Sequence, residues 1–201
     1  MCALESSMSP STSSPSVFDQ LANKATKWGV TGLAAAVVLW RHDPAAMWAV
    51  TGAIVNSANA KFLKQCINQQ RPATAVLKTD AGMPSTHAQS LGYLSTYAAI
   101  GIAGWNGLNL VSLGLCAIVL GCAVYLAYLR VCTGLHSGAQ VVIGAAIGSS
   151  SAVVWSWIWK AVVARYMVEM PWISMAVWIA FLVAASSFVA FVVKNWRIGD
   201  S

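Results

Sequence analysis

The sequence predicts an all-α protein, a polytopic bundle of about six transmembrane helices, and three observations predict it. Apolar residues fill 58% of the 201 positions and charged residues only 9%, against about 25% charged in an ordinary soluble domain. So little polar surface cannot face water on every side. Six apolar runs approach the roughly 20 residues that a spanning helix needs. Charges and tryptophans, finally, gather at the ends of those runs. The length suits one bundle, so a single domain is expected over 17–197, with tails at 1–16 and 198–201.

The tail over 1–16 is rich in Ser, Thr and Pro and holds Glu5 but no Arg. Such a composition builds no core and reads as a disordered tail or the end of a plastid transit sequence. The six runs lie near 26–40, 44–63, 87–104, 108–128, 137–159 and 174–193. The first is short unless the amphipathic lead from Val17 joins it. Trp28, Trp40, Trp48, Trp105, Trp157, Trp159, Trp172 and Trp196 stand near the expected ends, where aromatic side chains anchor helices at the interface. Gly101, Gly114, Gly121, Gly144 and Gly148 inside the runs suit close helix packing.

An even number of spans puts both tails and the 64–86 and 129–136 connections on one face. That face carries Lys24, Lys27, Lys61, Lys64, Arg71, Lys78, Arg130, Lys194 and Arg197, and the other Arg41, Lys160 and Arg165. The positive-inside rule then places the first face in the cytosol or its organellar equivalent, although several of its charges are also candidates for chemistry.

The net charge of +6 does not indicate a nucleic-acid partner, because no basic stripe on a soluble fold accompanies it. The five cysteines lack paired spacing, so neither a disulfide nor a metal framework is expected; Cys116 and Cys122 read as small buried hydrophobes. A transporter would carry ionisable residues within its spans, and the runs hold almost none.

The informative polar groups fall in three stretches. In the first, Lys64 precedes Arg71-Pro72 by seven positions. On a helix these two cations share a face, and two cations on one side suit a phosphate. Snorkelling at the membrane surface reads the same residues equally well. The second runs from Gly82 through Pro84, Ser85, Thr86 and His87 to Gln89. Thr86 with Gln89 has the spacing of a capping box that opens the third run. A helix N-terminus binds anions, Ser85 adds a hydroxyl, and His87 can give a proton to a leaving oxygen; a capped helix with an incidental histidine is the plain alternative. The third runs from Arg130 through His136 to Gln140. His136 and Gln140 are four apart on one helical face, so the amide oxygen can accept from one ring nitrogen and leave the other to attack phosphorus. Alternatively, Ser137 and Gln140 form a second capping box. His42, beside Arg41 and Asp43, falls on the opposite face as a surface residue.

These three stretches, in this order, resemble the phosphatidic acid phosphatase type 2 superfamily, related to vanadium haloperoxidases. The likeness covers roughly 45–160. Asn68 to Pro72 together with Gly82 to Ser90 is most similar to plant plastid-type lipid phosphate phosphatases and to dolichyldiphosphatases. The resemblance implies that Lys64, Arg71, Arg130, Ser85 and the backbone at Thr86 hold the phosphate. It implies that His136 attacks to form a phosphohistidine, and that His87 protonates the leaving group and then assists water. Three positions depart from the commonest pattern. Leu129 replaces a serine, Thr86 a glycine, and Gln140 the aspartate that orients the nucleophilic histidine. An amide can fix the tautomer but stabilises imidazolium less than a carboxylate.

The resemblance therefore implies a membrane hydrolase of a lipid phosphomonoester such as phosphatidate, working without metal or other cofactor. Polyprenyl diphosphate is the alternative substrate, and a catalytically weak lipid-binding protein the alternative class. Substrate and membrane lipids are the expected partners. The plastid envelope and the endoplasmic reticulum are the expected membranes.

Overall fold

The structure, a computed structural model, describes residues 32, 36, 40–72 and 80–199. The 1–16 tail, nearly all of the 26–40 run, Lys78 and most of the 72–84 connection lie outside the described residues. The helices in order are α1 (Pro44–Ile67), α2 (Thr86–Asn106), α3 (Leu110–Cys132), α4 (Gly138–Ile158), a π-helical turn (Trp159–Val163), α5 (Ala164–Glu169) and α6 (Pro171–Gly199).

Local chemistry sets most of the boundaries. Asp43 caps α1, its carboxylate accepting from the Ala46 amide at 2.7 Å, with Pro44 in the first turn where no amide is needed. Asn68 ends α1 in the left-handed region (φ 44°) and donates its amide to the Lys64 carbonyl, a conformation that asparagine tolerates better than most residues. Asn109 caps α3 and Ser137 caps α4.

Five long helices stand where five of the six runs predict them. Three segments are long and apolar enough to cross a membrane on their own: Leu110–Cys132, Gly138–Glu169 and Pro171–Lys194. The fifth expected run, 137–159, continues through the π turn to Glu169. α2 and one face of α1 are more polar where the two helices pack together, and their polar groups meet each other. Gln89 donates from Nε2 to the Asn56 side-chain oxygen (3.1 Å) and carbonyl (3.2 Å), both side chains being buried. A helix covered by its neighbours needs no uniformly apolar surface, provided its polar groups are paired. α3 and α6 instead turn Leu113, Ile118, Val124, Ile179 and Leu182 outward, as lipid-facing helices do.

α2 and α4 form the most extensive helix pair, and glycine makes their approach possible. A Cβ on Gly92 would lie 2.5 Å from the Ala145 carbonyl oxygen, and one on Gly144 would lie 2.7 Å from that of Ser85. Gly148 packs against the Gln89 carbonyl in the same way. Gly101, Gly114 and Gly121 do not share this role, since a Cβ there would meet nothing within 4 Å.

Two of the expected interfacial tryptophans are internal. Trp48 stacks on Trp155 with ring centroids 4.4 Å apart, and each indole N–H donates to the other residue's carbonyl, at 3.2 and 2.8 Å. Trp48 and Trp159 both pack on the core formed by Met47, Val163 and Val177, because tying α1 to α4 satisfies both the ring and its N–H. Trp40, Trp105, Trp157 and Trp172 are exposed. Cys122 is also exposed, on the outward side of α3, rather than buried. At one end of the bundle Lys61 Nζ lies 3.1 Å from the ring centroid of Phe191, joining α1 to α6.

Candidate active site

The C-terminal ends of α1 and α3 and the N-terminal ends of α2 and α4 meet at one end of the bundle. They bring the three polar stretches together. His42, Arg41 and Asp43 begin α1 at the opposite end, where His42 is exposed and Arg41 pairs with Asp43.

His136 lies in the short connection before α4, its amide donating to the Arg130 carbonyl at 3.1 Å, and it is 3% exposed. Its Nδ1 faces two oxygens, the Gly82 carbonyl at 3.0 Å and Gln140 Oε1 at 3.3 Å. Its Nε2 faces Arg71 Nη1 at 3.0 Å. Arginine only donates and both oxygens only accept, so these partners assign the proton to Nδ1 and leave Nε2 unprotonated, its lone pair accepting from Arg71. Burial, and then the Arg71 guanidinium, press the ring's pKa down to about 4 against the opposing pull of Gln140. The imidazole is therefore neutral at pH 7, the form in which it is a nucleophile.

Gln140 serves both roles read from its spacing. Its Oε1 accepts from His136 and from the Ser137 amide at 3.2 Å, while its own amide donates to the Ser137 hydroxyl, completing the capping box. Its Nε2 donates to Gln69 Oε1 (3.2 Å) and the Gln70 carbonyl (3.0 Å). A carboxylate could not make these last two bonds, so the amide suits a position wedged between α4 and the end of α1. Gly82 lies against it; a Cβ there would lie 2.6 Å from Gln140 Nε2.

Lys64 and Arg71 do converge, but not along a helix face. α1 ends at Ile67, Asn68 turns the chain, and Arg71 reaches back from an extended segment. Arg71 Nη1 also donates to the Leu135 carbonyl at 2.8 Å, and its Nε to the Asp80 carbonyl at 3.0 Å. The Asp80 carboxylate bridges the two cations, with Oδ2 2.6 Å from Lys64 Nζ and 2.9 Å from Arg71 Nη2. The Lys64 and Arg71 side chains are only 12% and 8% exposed, which excludes snorkelling. Burial alone would raise the Asp80 carboxyl, but hydrogen bonds from Lys64 and Arg71 and their charges outweigh it and hold it at about 2.

Ser85, not Thr86, caps α2. Its buried hydroxyl accepts from the Ala88 amide, its amide donates to the Gln140 carbonyl at 3.1 Å, and Gln89 turns inward to Asn56 instead of closing a box. Thr86 is the first residue of the helix, where the opening amides lack intrahelical acceptors. His87 follows in the first turn, within electrostatic reach of Arg130 and His136. Its buried Nε2 has no hydrogen-bond partner among the described residues. Arg130, at the end of α3, lies within electrostatic reach of Arg71 and His136.

Every candidate residue thus belongs to one cluster. Asp80 and the Gly82 carbonyl join it without having been singled out from sequence. Asp80 did leave a signal, as the only acidic residue between Asp43 and Glu169. A carbonyl acceptor leaves none, because every residue has one. Among the described residues no three His, Cys, Asp or Glu side chains gather as a metal group. The cluster combines cations, a helix N-terminus, a neutral imidazole with an unprotonated Nε2, and a second imidazole. That set can bind an anion, attack its central atom and supply a proton.

A cleft of about 540 Å³ opens beside the cluster between α1, α2 and α4, lined by Gly52, Asn56, Tyr93, Ala146, Ser151 and Trp155 among others. It contains none of the cluster residues. Along α1 it reaches from Asn59 down to Gly52, which is toward the middle of the bundle from Lys64.

The PAP2 superfamily profile matches residues 45–164. Lipid phosphate phosphatase epsilon 1, chloroplastic, of Arabidopsis thaliana is 39% identical over 89% of this chain and 63% of its own length. Lipid phosphate phosphatase epsilon 2, chloroplastic, of the same plant is 37% identical over 90% of this chain and 63% of its own. Lipid phosphate phosphatase gamma is 29% identical over 62% and 58%. The chain therefore spans just under two thirds of the length of the curated relatives it matches. No solved structure matches it.

Proposed function

Because the chain belongs to the PAP2 superfamily, we propose that it is an integral membrane lipid phosphate phosphatase, acting on a phosphatidate-like phosphomonoester. The observation that carries this reading is the pairing of His136 with Arg71, a neutral nucleophilic nitrogen 3.0 Å from a phosphate-binding cation. The chloroplastic relatives support the plastid envelope as its membrane.

In the first step the phosphate settles on Lys64, Arg71, Arg130 and the opening turn of α2, with Ser85 fixing that turn. The Nε2 lone pair of His136 attacks phosphorus, and the bond from phosphorus to the lipid oxygen breaks. His87, protonated once the phosphate's negative charge offsets the cations around it, gives its proton to that oxygen. His136 now carries phosphate on Nε2 and a proton on Nδ1, so the ring is positive. The Gly82 and Gln140 oxygens accept from Nδ1–H, and two dipoles stand where relatives of the commonest pattern place one carboxylate. In the second step neutral His87 takes a proton from water, the oxygen attacks phosphorus, and the bond to Nε2 breaks. Inorganic phosphate leaves and His136 is restored. The cations neutralise charge throughout, which is the greater part of catalysis in phosphoryl transfer.

The cleft beside the site supports a lipid tail in the bundle wall, its apolar lining being Val55, Ile147, Val154 and Trp155. Phosphatidate, a sphingoid phosphate and a polyprenyl diphosphate should be assayed side by side in detergent. Release of phosphate from the monoesters is the expected result; turnover of the diphosphate alone would make the protein a diphosphatase. Normal lipid binding without turnover of any of them would contradict the enzyme reading.

A further inference from the structure

Asp80 makes four hydrogen bonds with the cations that the reading above assigns to phosphate. Its Oδ2 bonds both Lys64 and Arg71, its Oδ1 accepts from Arg71 Nη2 at 3.0 Å, and its backbone carbonyl accepts from Arg71 Nε. The carboxylate side chain is 53% exposed while both cations are nearly buried. An anion approaching from the head-group region therefore meets Asp80 before it meets Lys64 or Arg71. It must take over the donors that the carboxylate holds.

The exchange does not treat all lipid phosphates alike. A phosphodiester head group carries one negative charge, the same as the carboxylate, and it competes with a group that the chain tethers at high effective concentration. A phosphomonoester carries about −1.5 to −2 at pH 7 and three terminal oxygens. A bilayer surrounds this end of the bundle with diesters, which the two cations alone would attract. We propose that Asp80 is a specificity-determining residue, an internal carboxylate that keeps phosphodiester head groups off Lys64 and Arg71 and yields them to a terminal phosphate. This rests on those two residues being the phosphate holders of a phosphatase.

The test uses the full chain in detergent, with Asp80→Asn and Asp80→Ala. Hydrolysis of short-chain phosphatidate is measured as phosphatidylglycerol replaces neutral detergent in the micelles. Binding of inorganic phosphate is measured separately by calorimetry. The wild type should be nearly indifferent to phosphatidylglycerol. Both variants should show an apparent KM that climbs with it, and should bind inorganic phosphate about five- to tenfold more tightly, the scale of two partly exposed ion pairs released. Unchanged diester inhibition and unchanged phosphate affinity in both variants would overturn the proposal. So would weaker phosphate binding in both, which would make Asp80 a support for the cations rather than their competitor. If the wild type hydrolyses no lipid phosphate, the phosphatase reading falls on its own, and the phosphate-binding measurement still decides whether Asp80 competes.

Discussion

The Nε2 nitrogen of His136 lies 3.0 Å from Nη1 of Arg71, and the same guanidinium grips Asp80 through Nη2. One side chain therefore connects the nucleophile to the anion-binding side of the site. A phosphate that displaces Asp80 on Nη2 arrives beside the Nε2 lone pair of His136, which Nη1 must release for attack. Binding and attack are coupled through one planar group, and lysine could not supply that geometry. Arg71→Lys should lower kcat/KM by about a hundredfold or more. A loss under threefold would show that charge alone suffices.

The pH profile should depend on Gln140. With the His136 pKa held at about 4, protonation removes the nucleophile only in acid, so the acid limb of kcat/KM should lie near that value. In Gln140→Asp a carboxylate faces the ring and stabilises imidazolium, which raises the pKa and moves the limb toward neutrality. Profiles on a water-soluble short-chain phosphate measure this. An unmoved limb would mean that Gln140 does not face His136 in solution.

Gly82 should tolerate no side chain. A Cβ would meet Gln140 Nε2 at 2.6 Å, pushing either the amide or the Gly82 carbonyl away from His136. Gly82→Ala should cut turnover by about tenfold or more, on the scale of losing one hydrogen bond to a charged group, while the chain still binds phosphate. Wild-type turnover would contradict the geometry.

Much of this was legible in the sequence, and the failures share physical causes. Residue types at fixed spacings announced Lys64, Arg71, His87, Arg130, His136 and Gln140, because charge and proton transfer need those side chains. Asp43-Pro44 and Ser137 announced helix starts through capping chemistry. The helical path from Lys64 to Arg71 failed at Asn68, whose left-handed φ redirects the chain. The choice between Ser85 and Thr86 as cap depends on which hydroxyl faces the amides, and composition does not carry that. Trp48 and Trp159 look like interfacial anchors by position, yet packing against Trp155 and Met47 draws them inside.

The close approach of α2 and α4 gives a stability test with its own control. Gly144→Ala pushes against the Ser85 carbonyl and should cost about 1–3 kcal/mol, with activity falling as the α2 cap shifts. Gly101→Ala meets nothing within 4 Å and should be neutral or slightly stabilising. Thermal unfolding in detergent compares the two, and equal effects would contradict the packing.

Ala146 is exposed at the lip of the cleft. If the cleft takes the lipid tail, Ala146→Trp should raise KM for long-chain phosphatidate severalfold and leave a water-soluble phosphate ester unaffected. Equal effects on both substrates would remove the tail from this cleft.

The central claim is that His136 carries the phosphoryl group. Wild-type protein mixed with lipid phosphate labelled with radioactive phosphorus, and quenched in alkali within one turnover, should hold acid-labile, alkali-stable label on a histidine. Label should build up in His87→Ala, where hydrolysis of the intermediate is slowed, and be absent from His136→Ala, whose turnover should fall about a thousandfold or more. Phosphate release with no labelled protein at any time, or label that persists in His136→Ala, would contradict it.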